Sequence, residues 1–323
     1  MRRRTFLAMA FAALAAGLAT DAFAQAQNWP ERAVKVILPY APGGATDAIG
    51  RPWADKLSQA FGQQFVVENR GGAGGMIGAE AAAKAPPDGY TLFLTPNAPL
   101  SVLPTLRKTP YDPVKSFAAV GRVGDVINGF VIHPSVGVKT FKEMIEYAKK
   151  NPGKLSYGSS GNGTANHMRL EMLKLKTGVD ILHIPYRGGA DTLNDILPGT
   201  IHMMNEPVSL PHVKAGKLIL LNINGKVRHP DFPDVPTLTE LGIEGADIPI
   251  WFALFAPAGT PKDIIAKLNA KMLEIAKTDD MKAKMRAVNA FVPLQSPEEM
   301  AKALADDIKS NADLIKAANI KID

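Results

Sequence analysis

The chain of 323 residues contains no cysteine. That excludes disulfide bonds, a thiol nucleophile and a zinc–thiolate centre, and leaves packing alone to hold the fold. No apolar run reaches the ~20 residues that cross a bilayer. Acidic and basic residues are interleaved, 37 Lys and Arg against 31 Asp and Glu. Nucleic-acid binding needs a basic stripe with aromatic platforms, and neither is present. The six histidines, His133, His167, His183, His202, His212 and His229, show no HxxxH or HxH spacing, so no metal site is expected. A GxSxG nucleophile elbow and a Walker loop are also missing.

What is present begins with an export signature. Arg2, Arg3 and Arg4 form a basic head, Leu7 to Leu18 an uncharged apolar stretch, and Ala22-Phe23-Ala24 a small-x-small cleavage pattern. Residues 1–24 therefore read as a cleaved signal peptide, with Gln25 the new N-terminus. Arg3, Arg4, Phe6 and Leu7 match an RRxFL core as well as an ordinary basic head, so the route stays open between general secretion and twin-arginine export. Losing this segment lowers the formal charge from +6 to +4. Roughly 300 residues remain, enough for two lobes of ~100–150 residues each.

Strands alternate with helices almost throughout, the pattern of parallel sheets covered by helices. Residues 33–39 read as the first strand, and a helix follows from about Asp47 with Ile49, Trp53, Leu57 and Phe61 at fourfold spacing. Further strands are expected at Phe65–Glu68 and Thr91–Thr95. A second series starts near 126, with strands at 129–133, 155–158, 181–185, 200–204 and 218–223, and helices at 140–150, 164–177 and 189–197. Thr260-Pro261-Lys262-Asp263 reads as a capped start for a helix over 261–277. An amphipathic tail helix spans 296–318.

Three strand-to-helix turns carry the candidate chemistry. Pro39-Tyr40-Ala41-Pro42-Gly43-Gly44-Ala45-Thr46-Asp47 presents glycine backbone at a helix N-terminus, a place that favours anions. An ordinary loop capped by Thr46 fits it equally. Ser156-Tyr157-Gly158-Ser159-Ser160-Gly161-Asn162-Gly163-Thr164 is a neutral, hydrogen-bonding cradle. Gly161 and Gly163 begin a dinucleotide fingerprint, but Asn166 stands at its third glycine. His183-Ile184-Pro185-Tyr186-Arg187-Gly188-Gly189-Ala190 is the third turn, where Arg187 suits either a carboxylate or solvent. His167 is the one histidine placed as a pocket-wall candidate. Asn205 and Glu206 end a short strand and fit either a ligand's polar group or water.

Taken in order, PYAPGGATD, VVENRGGAGGMIGAEAAAKAPPDGYTL, GSSGNGT followed by His167, HIPYRGGA with ILPGTIHMM, and WFALFAPAGTP resemble the receptors of tripartite tricarboxylate transporters, the Bug family of periplasmic binding proteins. The resemblance runs from about Trp29 to the end of the chain. It implies a type II periplasmic binding fold of two α/β lobes joined by a hinge, lobe 1 at 28–125 and 253–323 and lobe 2 at 126–252. It implies a small organic carboxylate held between the lobes without cofactor, metal or catalytic residue, and delivery by a monomeric periplasmic protein to membrane transporter subunits. Carried over by position, Tyr40, Gly43, Gly44, Thr46, Asp47, Pro96, Asn97 and Ala98 line one side. Ser159, Ser160, Gly161, Thr164, His167 and Gly189 line the other, with Asn205 and Glu206 where the second end of a ligand is sensed. Those last two depart from the family's usual aromatic and Asp.

Asp47 sits awkwardly beside an anion, and is expected to cap helix N–H groups or orient water. Two other classes compete. An exported hydrolase would use Ser159 or Ser160 with His167 as base, although no third member is assignable. An envelope scaffold would need no ligand.

Overall fold

The computed structural model describes residues 28–225, 228–244, 250–317 and 320; the expected signal at 1–24 lies outside them. Two sheets organise the chain. The first has β1 (Val34–Leu38), β2 (Phe65–Asn69), β3 (Thr91–Pro96), β4 (Phe117–Val126), β10 (Ile250–Pro257) and β11 (Ala290–Phe291), in the order β11-β4-β10-β3-β1-β2. The second has β5 (Val131–Ile132), β6 (Ser156–Ser159), β7 (Leu182–Pro185), β8 (Met203–Met204) and β9 (Ile219–Leu220), in the order β7-β6-β8-β5-β9.

Side-chain alternation splits the first sheet into two buried faces. Val34, Val36, Leu38, Leu92, Leu94, Phe252 and Leu254 point one way. They pack on α1 (Ala45–Phe61), α9 (Lys262–Lys277) and α10 (Asp279–Ala287). The fourfold apolar row of α1 supplies Ile49, Trp53 and Leu57, and Trp53 Nε1 donates to the Val123 carbonyl at 2.8 Å. Gly62 ends that helix in the left-handed region, as its sequence predicts. Ile37, Phe93, Trp251, Ala253 and Phe255 point the other way, onto α2 (Met76–Ala83), α3 (Ala98–Ser101) and α11 (Pro297–Ala317). Between α3 and β4 stands the short α4 (Leu103–Leu106). Because both faces are covered, every residue of β10 is buried.

In the second sheet Ile132, Tyr157 and Met203 pack on α5 (Phe141–Lys150) and α6 (Ala165–Thr177). Val131, Met204 and Leu220 face α7 (Gly189–Ile196) and α8 (Leu210–Lys214).

The sheets are mixed, not purely parallel. β1 pairs in parallel with β2 and β3, but β10 runs antiparallel to both β3 and β4. The cause lies in connectivity. Ile250 pairs with Val126, so the chain returns to the first sheet beside the point where it left and must run the opposite way. This unbroken strand also spans 252–253, where the sequence reading divides the lobes. A second difference concerns Thr260, expected as a helix cap: its hydroxyl donates to the Pro257 carbonyl at 2.8 Å, and the helix begins at Lys262 behind Pro261.

Two chain passages lead from one sheet to the other and run side by side. Asn224 N–H donates to the Asn128 carbonyl at 2.7 Å, and Leu221 N–H to that of Phe130 at 2.8 Å. Between these bonds Gly129 meets Asn222 so closely that a Cβ built on Gly129 would stand 1.6 Å from the Asn222 carbonyl oxygen. Backbone cannot yield as a side-chain tip does. Gly129→Ala is expected to lower the melting temperature by about 5–10 °C in differential scanning calorimetry; an unchanged value would show that this junction opens without cost.

Candidate ligand-binding site

The first turn leaves β1 at Leu38 and enters α1 at Ala45. Gly44 occupies the cap position and no side chain bonds the first-turn N–H groups. A helix start left uncapped carries unpaired donors and the positive end of the backbone dipoles. Asp47 turns away from that opening, accepting from Gly43 N–H at 3.0 Å, Arg51 Nε at 2.8 Å and Asn69 Nδ2 at 3.1 Å. Burial pushes its carboxyl up, but those three donors outweigh burial and hold it below the ordinary aspartate range. Asp47 thus braces the turn, and the Gly43 N–H, expected as a ligand donor, is committed to it. Tyr40 buries its ring beside the turn and donates from its hydroxyl to the Gly74 carbonyl at 2.9 Å.

After β3, Asn97 donates its N–H to the Trp251 carbonyl at 2.9 Å and its side chain to Asp307 on α11 at 3.3 Å. The C-terminal helix thereby fixes the pocket wall.

The second sheet's turns face these across the gap. Their hydroxyls are mostly spent internally. Ser159 Oγ lies 2.7 Å from His183 Nε2 and donates to the Gly161 carbonyl at 3.2 Å. Thr164 donates to that same carbonyl at 2.9 Å and accepts from His167 N–H at 3.3 Å, a helix cap by its side chain. Ser160 Oγ donates to Glu206 Oε1, and Asn166 Nδ2 donates to the same oxygen at 2.6 Å. The expectation that Ser159 to Thr164 offer their hydroxyls to a ligand is therefore corrected: the cradle holds its own loop and Glu206.

A cavity of about 40 Å³ lies between the lobes. Of the candidates read from sequence, Tyr40, Gly44, Thr46, Pro96, Asn97, Ala98, Ser160, Thr164, Gly189 and Glu206 line it. Gly161 lines an adjoining cavity of about 250 Å³ that shares Tyr40 and Ser160 and also takes in Arg107 and Arg187. Gly43, Asp47, Ser159, His167 and Asn205 stand behind the lining. Sequence reasoning missed Asn166, Ile250 and Phe252, which line the first cavity. Asn166 carried a signal, a polar residue in the first turn of a helix that begins at the site.

The serine and histidine placements also decide the hydrolase reading. His167 pairs with neither serine; its Nδ1 accepts from Gly163 N–H at 3.1 Å and its ring stacks on His183, 4.0 Å between centroids. Ser159 is wholly buried and outside both cavities. Burial, then Lys174, lowers the His167 imidazole to about 4, and burial, then His167, lowers that of His183 to about 3. Both rings are neutral at pH 7. Unfolded, they titrate near 6.5. The unfolded chain thus binds more protons below that value, so this stability is full above pH 6.5 and drains as pH falls toward the folded values. Thermal unfolding followed from pH 7 to 4.5 should show a falling midpoint for wild type and a shallower fall for His183→Gln. Parallel curves would mean the histidine pair is not buried as described.

Comparison with known proteins places this geometry. Residues 49–320 match the family model of the tripartite tricarboxylate transporter family receptor. The protein BugT of Bordetella pertussis is 34% identical over 301 residues, 92% of this chain and 92% of its own length. Among solved structures, one described as a periplasmic transporter is 39% identical with a TM-score of 0.89, covering 91% of this chain and 100% of its own. R. palustris Rpa4515, solved with adipate, is 33% identical with a TM-score of 0.87, covering 91% and 99%. The two-lobed α/β architecture is that of the type II periplasmic binding fold, and the chain belongs to the tripartite tricarboxylate transporter receptor family.

Proposed function

We propose that this protein is a periplasmic receptor that captures a small organic carboxylate between its lobes and delivers it to membrane transporter subunits. The observation that carries the reading is the uncapped N-terminus of α1, opening into a cavity whose far wall belongs to the other sheet. Backbone N–H groups fixed in a helix neutralise an acid without the desolvation cost of a buried cation. The adipate in Rpa4515 lends support from a protein of the same architecture.

In this reading residues 28–125 with 253–323 form lobe 1 and 126–252 form lobe 2. The second boundary moves to just before Ile250, because β10 belongs whole to the first sheet. The crossovers at 126–130 and 220–225 are the hinge. Closure about them converts occupancy into a shape that a membrane partner recognises. The protein works as a monomer and turns nothing over, since neither serine meets a base at the cavity. Export through the segment 1–24 completes the assignment, and among the described residues no helix is long and apolar enough to cross a membrane.

Thermal-shift screening of the processed chain against a carboxylate library should give at least one stabilising compound. Gly44→Asp places a carboxylate at the helix start, where the ligand's own belongs. Isothermal titration with the best compound should then show a loss of about 100-fold or more, equal to ~2.7 kcal/mol. Unchanged affinity would remove the first turn from the site.

A further inference from the structure

Glu206 follows β8 and is 4% exposed, yet it lines the cavity that the proposed carboxylate enters. An acid receptor with an acid in its pocket needs an explanation. Everything bonded to this side chain is a donor: the Ser160 hydroxyl, the Ser160 backbone N–H and the Asn166 amide. Behind them the fully buried guanidinium of Arg169 donates to Asn128 Oδ1 at 2.8 Å and to Asn205 Oδ1 at 3.2 Å. Burial pushes the Glu206 carboxyl up, while Ser160, Asn166 and the Arg169 charge pull it down. The protein has surrounded the group with the partners of an ionised carboxylate, and Arg169 acts as a positioning residue for it.

The two oxygens differ. Oε1 takes the Ser160 hydroxyl and Asn166 bonds. Oε2 lies against the start of α7, 3.2 Å from where a Cβ on Gly189 would stand. Gly189 is the residue that Gly44 meets across the gap, its N–H nitrogen 3.5 Å from a Cβ built on Gly44. Glu206 Oε2 therefore sits at the level of the α1 N-terminus, on the opposite wall of a small cavity. One wall carries the positive end of a helix and the other a carboxylate. A ligand with two acid groups would press one of them toward Glu206, and like charges at such range disfavour ionisation of both.

Resting on the carboxylate reading above, we propose that the ligand is dipolar, a carboxylate that also bears a protonated amine, and that Glu206 is the residue that selects for the amine. The carboxylate faces the N-terminus of α1, and the ammonium donates to Glu206 Oε2. The pairing leaves no unpaired charge in the closed cavity, which a ligand lacking the amine would do.

The test uses matched probes that share a carbon skeleton: L-alanine with propionate, L-aspartate with succinate, and L-phenylalanine with 3-phenylpropionate. Isothermal titration of the processed wild-type chain needs no variant. At least one aminated probe should bind about tenfold or more tighter than its partner. Glu206→Gln keeps an oxygen for Ser160 and Asn166 while removing the charge, and should bring that ratio to about one with an unchanged fold by circular dichroism. Deaminated probes binding as tightly as aminated ones, or tighter, would overturn the dipolar ligand and leave the carboxylate reading standing. A preference that survives Glu206→Gln would overturn the role of Glu206. Binding of no probe and no library carboxylate would overturn both readings together.

Discussion

The site depends on one constraint: a negatively charged group must leave water and enter a closed gap without meeting a fixed cation. A buried guanidinium or ammonium would satisfy the charge, but taking it out of water costs several kcal/mol before the ligand arrives. The first turn avoids that cost. Its donors belong to the backbone of α1, already oriented by the helix, and Asp47 holds the turn in place by accepting from Gly43, Arg51 and Asn69. An acid beside an anion site is tolerable because its charge is fully engaged by those donors. The side chain that looks most hostile to the ligand is the one that shapes its cradle.

Lobe 2 solves a different problem. Its buried polar groups are turned toward one another, with Arg169 among Asn128, Asn166 and Asn205, and Asn224 donating to Asn205 Oδ1 at 2.8 Å. The cluster joins the cavity wall, through Asn166 and Glu206, to the crossover passages, through Asn128 and Asn224. A network of this kind is costly when half satisfied and rigid when complete. Its position means that a change in the charge held by Glu206 is felt at the hinge without an intervening flexible element.

How much of this was readable from sequence follows from what sequence encodes. Periodicity located β1, α1, β6, α6 and the tail helix within a few residues, because each buries a face and the spacing of apolar residues records which. It failed at WFALFAP. A strand buried on both faces has no alternation to show, and its antiparallel direction is fixed by where the chain re-enters the sheet. Composition marked the three turns but not the aim of their hydroxyls. Ser159 and Thr164 are donors in any inventory; only the fold shows that they face His183 and Gly161. Glu206 was legible as a departure from the family pattern, while its partner Asn166 was hidden in a helix start that reads as ordinary.

The closing surfaces explain why the ligand, and not the protein alone, decides the closed state. Where the lobes meet, they do so backbone to backbone: a Cβ on Gly74 would stand 2.4 Å from the Asn162 carbonyl oxygen, and Gly188 and Gly189 lie against Ala41 and Gly44. Glycine permits that approach, and in doing so leaves almost no apolar area to bury. Hydrophobic stabilisation scales with area at roughly 25 cal/mol per Å², so such a seam contributes little that would hold the lobes shut when empty. The balance between open and closed forms is then set by groups that find partners only on closure, above all the positive end of α1. An occupant that satisfies both walls shifts that balance by the whole of its differential affinity, and one that satisfies a single wall shifts it by less.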